Sequence, residues 1–189
     1  MKYPINIYVI VHDDLKAYDA NKLYTDYFSW LKTELEEISE RNVIVTIISP
    51  GSYSDLSGYD YRNADASIAL SGWRQLVNKS HYKLTQSDYF NSALNPVLLL
   101  TRHAINNGVI GIAYNKSYAA ISSISVYRAP AHEIGHMLGA THEDSEIDYD
   151  GWWHSSIMLS DNFSHLRGNT YRFSNKNREN IRRHLSRFD

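Results

Sequence analysis

Residues 132–142 read His132-Glu133-Ile134-Gly135-His136-Met137-Leu138-Gly139-Ala140-Thr141-His142, and a methionine follows at Met158. His132 and His136 are four positions apart, so on a helix they project from one face, one turn from each other. Glu133 lies one step round the same helix, within reach of water held at a metal without being a ligand itself. Gly139 can take the backbone conformation that ends a helix and turns the chain back. His142 then adds a third nitrogen from beyond the helix. Three protein ligands leave a fourth position of a tetrahedral zinc ion open, which marks a catalytic rather than a structural site. A bare His-x-x-x-His carries little information. The fixed residue types at fixed offsets here carry much more.

Working outward, hydrophobic periodicity predicts strands at 4–11, 43–49, 97–101, 109–114 and 121–127. Helices are predicted at 20–40, where Leu23, Tyr27, Trp30, Leu31, Leu35 and Ile38 recur at three and four, and at 68–80. The helix carrying the motif spans about 130–139, with Pro130 suited to its first turn, and Ser174 is an N-cap for a last helix reaching about 187. Residues 51–66, rich in Gly, Ser, Asp and Tyr, read as a loop.

The motif and the later methionine are similar to those of the metzincin clan of zinc endopeptidases. Beyond the motif, Gly111-Ile112-Ala113-Tyr114, Ser125-Val126 and Ala131, and Phe173-Ser174 resemble the adamalysin (reprolysin) group, and the similarity is carried by about 97–189. The chain departs from that group at Glu143, where Asp is usual, and in having no cysteine. The resemblance implies an α/β (α+β) catalytic domain with a five-stranded, mixed, twisted sheet, an antiparallel edge strand, three main helices and a small irregular lower lobe. Residues 1–189 are expected to form this one domain, with an upper lobe to about 140 and a lower lobe of about 141–189 that ends in the C-terminal helix.

It also implies site roles. His132, His136 and His142 would hold one Zn2+, Glu133 would act as general base, and Met158 would form the apolar floor of the methionine turn. A peptide would add to the edge strand at Gly111, Ile112 and Ala113. Met137, Leu138 and Leu159 would border the main pocket, which would favour an apolar or medium-sized residue. Some metzincins carry a tyrosine two residues after the methionine; Ser160 stands there, so no such oxyanion donor is expected. Residues 159–166 would form a wall of that pocket. Trp152 and Trp153 either border the cleft or cap the lower lobe.

Composition bounds the rest. With 43% hydrophobic residues and 13% aromatics the chain is globular. A net charge of −2 gives no reason to expect nucleic acid as partner. The remaining histidines, His12, His81, His103, His154, His165 and His184, share no metal-ligand spacing. The acidic stretch 143–150 lacks the spacing of a calcium loop, so a solvated loop is expected there rather than a second cation. No apolar run reaches membrane-spanning length, and Met1-Lys2-Tyr3-Pro4 leads into a strand instead of a signal peptide. A monomer is expected, secreted or delivered out of the producing cell as a toxin-like effector and acting on protein or peptide. Two other classes stand beside the endopeptidase: a zinc hydrolase acting on a non-protein or cell-wall substrate, and a metzincin-like binding module. The second would be marked by loss of Glu133, which is present.

Overall fold

The computed structural model describes residues 2–86, 91, 93–149, 153–159 and 168–189. A five-stranded sheet in the order β2-β1-β3-β5-β4 organises them. Its strands are β1 (Ile5–Val11), β2 (Val43–Ile48), β3 (Val97–Thr101), β4 (Gly111–Ala113) and β5 (Ala119–Ser123). The β1–β2, β1–β3 and β3–β5 pairs are parallel. Only β4 runs antiparallel, with Gly111 opposite Ser122 and Ala113 opposite Ala120, and it forms one edge.

The sequence of β3, Val-Leu-Leu-Leu-Thr, explains its central place. An unbroken apolar run cannot leave one face in water, and every residue of β3 is buried. Leu98 and Leu100 point to a core shared with α2 (Ser29–Ser39), α5 (Ala129–Met137) and α6 (Asn175–Leu185). Val97 and Leu99 point to a second core on the opposite face, closed by Leu70, Trp73 and Val77 of α4 (Ala66–Thr85). The period-two alternation of the strand thus sorts neighbouring residues into two cores.

Several boundaries differ from the sequence reading. The helix predicted at 20–40 is built of α1 (Ala20–Leu23), a π-helical turn at Tyr24–Phe28 and α2. Its end is a left-handed residue, Glu40, at φ 54°. Helix α4 runs to Thr85 because Leu84 is still buried, and Gln86 closes it in the same left-handed conformation. A short helical turn, α3 (Ser54–Ser57), interrupts the predicted loop and buries Leu56. Strand β5 starts earlier than predicted and stops at Ser123, whose hydroxyl accepts from the Ser125 N–H and so turns the chain towards α5.

The lower lobe is not wholly irregular. A second sheet joins β6 (Ile147–Tyr149), β7 (Trp153–Ser155) and β8 (Gly168–Asn169), antiparallel then parallel. Strands this short leave no readable alternation. Ile157, Met158, Phe173, Ile181 and Leu185 belong to the same apolar core as β1 and β3, so one core joins the five-stranded sheet to the later part of the chain.

Arg178 links α2 to this later part of the chain through ion pairs with Glu34 and Glu37. Glu34 Oε2 accepts from Arg178 Nη1 at 2.7 Å, and Glu34 Oε1 accepts from the Phe173 backbone N–H at 2.9 Å. Burial pushes the Glu34 carboxyl up, against the pull of the Phe173 N–H and Arg178. Truncating Glu34 would leave the buried Phe173 N–H without a partner and the Arg178 guanidinium with only the exposed Glu37, 3.1 Å away. Breaking a buried pair this way costs about 3–5 kcal/mol. Glu34→Ala is therefore expected to lose about 3 kcal/mol in urea unfolding; a loss below about 1 kcal/mol would reduce the pair to the level of a surface contact.

Candidate metal centre

Helix α5 begins with Pro130 in its first turn, where a missing N–H costs nothing, and carries His132 and His136 on one face. Gly139, at φ 102°, reverses the chain, and the Ala140 N–H returns to the Gly135 carbonyl at 2.8 Å. His142 is thereby brought over the helix. Its Nε2 lies 2.8 Å from His132 Nε2 and 3.0 Å from His136 Nε2.

The other ring nitrogens decide what that convergence means. His132 Nδ1 is 3.0 Å from the Ile157 carbonyl, and His136 Nδ1 is 3.1 Å from the Ala140 carbonyl. A carbonyl only accepts, so Nδ1 carries the proton in both rings and Nε2 is a bare lone pair. Two lone pairs then face His142 Nε2, which has at most one proton to offer. Burial, then the neighbouring imidazole, pushes His132 down to about 3; burial and His142 lower His136 as well. Neutral rings with converging lone pairs are the donor set a zinc ion takes, and the three histidines form a cluster that fits one such ion. Among the described residues no other His, Asp or Glu cluster of this kind occurs.

Further contacts fix the cluster. The turn that carries Met158 supplies the Ile157 carbonyl, so it orients His132 as well as flooring the helix. Gly135 makes the close packing possible: a Cβ there would lie 2.7 Å from Met158 Sδ and 2.6 Å from Phe173 Cε1. His142 is held from outside its own segment. The Thr141 N–H donates to Asn177 Oδ1 at 2.8 Å, and Asn177 Nδ2 donates to the Thr141 carbonyl at 2.9 Å. Asn115 Nδ2 donates to the Ala140 carbonyl at 2.9 Å. Neither asparagine stands out in the sequence, since each acts only across the fold.

Glu133 is 6% exposed and turns towards β4. A Cβ on Gly111 would fall 2.7 Å from Glu133 Oε1 and 2.9 Å from its Cγ, so the carboxyl occupies the space that glycine leaves. Burial pushes Glu133 up to about 8. A dication beside it would favour the ionised form again.

A cleft of about 440 Å3 opens over these groups, lined by residues 108–113, Val126, Arg128, Ala129 and Leu159 beside the histidines and Glu133. Gly111, Ile112, Ala113 and Leu159, expected to bind substrate, line this cleft. Met137 and Leu138 do not: both are fully buried in the core, because the steps after His136 rotate them off the ligand face of the helix. Val126, Arg128 and Ala129 take their place, and Arg128 brings a cation to a wall expected to be apolar. Their lining role arises from the turn into α5, which sequence periodicity does not show. Trp153 is 54% exposed and packs on Tyr149 at 4.7 Å between ring centroids, away from the cleft lining. Trp152, Ser160, His165, Asp150 and the expected wall beyond Leu159 fall outside the described residues.

No protein-family model matches the sequence, and no curated protein matches it. Solved structures do share the fold. Metalloproteinase-II from Bacteroides fragilis matches with a TM-score of 0.66 and 18% identity over 97% of this chain and 56% of that one. A zinc-dependent peptidase from Methanocorpusculum labreanum matches with a TM-score of 0.59 and 18% identity over 93% of this chain and 99% of that one. The chain thus spans little more than half the length of the Bacteroides protein. Fold and site together define an α/β chain of metallopeptidase architecture whose three-histidine cluster fits one zinc ion.

Two outcomes test this arrangement. Alanine is normally a better helix former than glycine by about 1 kcal/mol, yet Gly135→Ala is expected to destabilise the protein by about 1–3 kcal/mol and to weaken zinc binding, because Met158 and Phe173 must move. Unchanged thermal unfolding and zinc affinity would show that the floor is loosely packed. The second concerns pH in metal-stripped protein. A carboxyl raised from 4.5 to about 8 stabilises the fold below 4.5 and loses that contribution as pH climbs through 8. Wild type should therefore lose more stability than Glu133→Gln between pH 5 and 8 in urea unfolding; parallel profiles would place Glu133 in contact with water.

Proposed function

We propose that this protein is a zinc-dependent endopeptidase of the metzincin type, closest in pattern to the adamalysin group. The observation that carries the reading is the set of three converging imidazole nitrogens, two of them fixed as lone pairs, beside a buried carboxyl, at the foot of a cleft along a free sheet edge. His132, His136 and His142 would hold the ion, which when bound supplies a Lewis acid for the scissile carbonyl and acidifies water.

The chain's own groups supply the rest. Glu133 takes a proton from the attacking water as its oxygen bonds to the carbonyl carbon. It delivers that proton to the departing amine nitrogen as the C–N bond breaks. Gly111 leaves the carboxyl room to sit at the edge strand. One side of β4 is paired with β5. Its other side offers main-chain donors and acceptors to an extended peptide, a mode that reads backbone and tolerates varied side chains. The cleft walls, Arg128 included, supply side-chain preference. Action as a monomer on proteins outside the producing cell extends the reading and rests on the sequence resemblance.

The test is cleavage of unfolded casein by wild type, Glu133→Gln, His136→Ala and Gly111→Ala, with zinc measured in each. Wild type should cleave and stop on chelation. Glu133→Gln should keep one zinc and lose roughly a hundredfold to ten-thousandfold in kcat, the usual range for a general acid–base group. His136→Ala should lose zinc and activity together. Gly111→Ala should keep zinc and lose kcat through the displaced carboxyl. Full activity in Glu133→Gln would overturn the mechanism, and zinc-loaded wild type inert towards every peptide while cutting cell-wall material would overturn the substrate class.

A further inference from the structure

Behind the metal centre, on the far side of the Gly139 turn, lies a second pocket of about 180 Å3. That is well above the roughly 10–15 Å3 a single water needs. Its walls come from the β4–β5 turn (Asn115, Lys116), the segment leading to and past His142 (Gly139, Thr141, Asp144), one face of α6 (Asn180, Arg183, His184) and Arg187 in the 3-10 turn that follows it. The α6 residues recur at three and four, so they share a helix face.

Three cations meet here. Among the described residues no carboxylate pairs with Lys116, Arg183 or Arg187, although the same helix uses Arg178 in ion pairs with Glu34 and Glu37. The one carboxylate in the wall, Asp144, accepts from Asn180 Nδ2 at 2.6 Å. The pocket therefore carries an excess of positive charge.

A second, independent feature sits in the same wall. His184 is 7% exposed, and neither of its ring nitrogens has a hydrogen-bond partner. A buried imidazole with both nitrogens unsatisfied costs free energy that the fold tolerates for a reason. Burial, and then the neighbouring cations Lys116 and Arg187, hold His184 below the usual histidine range. The backbone is shaped around this space as well. Lys116 is a non-glycine residue at φ 56°. A Cβ on Gly139 would lie 3.3 Å from both Lys116 Cε and His184 Cβ. A side chain at 139 would fill the cradle.

We propose that this pocket binds a small oxyanion of the phosphate class. The ion would receive charge-assisted hydrogen bonds from Lys116, Arg183 and Arg187, and its charge would offset the cations that face the buried His184 ring. The source is either the free ion or the phosphoryl end of a larger molecule, and the chemistry is shared. Occupancy would tie α6 and the β4–β5 turn to the segment that presents His142.

The experiment is calorimetric titration of sodium phosphate into the full chain, in buffer free of other multivalent anions, with O-phosphoserine as a second titrant. Wild type should bind phosphate saturably at millimolar concentration or below. Arg183→Gln/Arg187→Gln alters only exposed side chains of α6 and of the turn after it, and should bind at least about tenfold more weakly, the scale of losing charge-assisted bonds. Lys116→Gly, which removes the amine and suits the left-handed backbone, should weaken binding independently. Equal affinity for phosphate and phosphoserine would assign a phosphomonoester end group; binding of phosphate alone would assign the free ion. Non-saturable heats in wild type, or undiminished affinity in both variants, would overturn the proposal, the latter by placing phosphate elsewhere, as at the metal centre.

Discussion

Bringing the lone pairs of His132 Nε2 and His136 Nε2 both within 3.0 Å of His142 Nε2 is electrostatically unfavourable unless a cation sits among them, because His142 has at most one proton to share between them. The molecule sustains the arrangement by fixing the opposite edge of two of the rings. Ile157 and Ala140 offer carbonyls that only an Nδ1–H can satisfy, and this choice of proton position forces Nε2 to be a lone pair. The carbonyls come from places that are themselves tightly held: the turn over Met158, and the reversal at Gly139 that also presents His142. Much of the remaining architecture serves to keep those two stretches in place.

Absent side chains matter as much as those present. Gly135 admits Met158 and Phe173 beneath the helix, and Gly111 admits the Glu133 carboxyl beside the edge strand. In both cases the missing Cβ is a contact distance, not a source of flexibility. The result is a dry carboxyl, held up by burial, adjacent to a cluster of neutral rings. Those two environments respond oppositely to a cation, since it would ionise the acid and use the rings without removing protons from them.

The later part of the chain is joined to the sheet by polar contacts and by apolar packing together. Glu34 reaches Arg178 and the Phe173 N–H, and Asn177 brackets Thr141. Phe173, Ile181 and Leu185 meanwhile extend the core that begins at β1. The order of the metal centre is thus inherited from helix α6, which lies far from it in sequence and carries none of its ligands.

By itself the sequence determined the ligand helix, the candidate donors and most of the sheet. Those features are written in short-range patterns: residues four apart on α5, the continuous apolar run of β3, Gly139 at a reversal. Only the tertiary structure decided which residues wall the cleft, where Met137 and Leu138 point, and how His142 is held. It also set the ends of β5 and gave the second sheet its pairing. These depend on contacts such as Asn177 with Thr141, or Glu133 with Gly111, between side chains brought together by the whole fold. Local periodicity fixes a residue's element and face; its partner across space is fixed by packing, which no window of sequence contains.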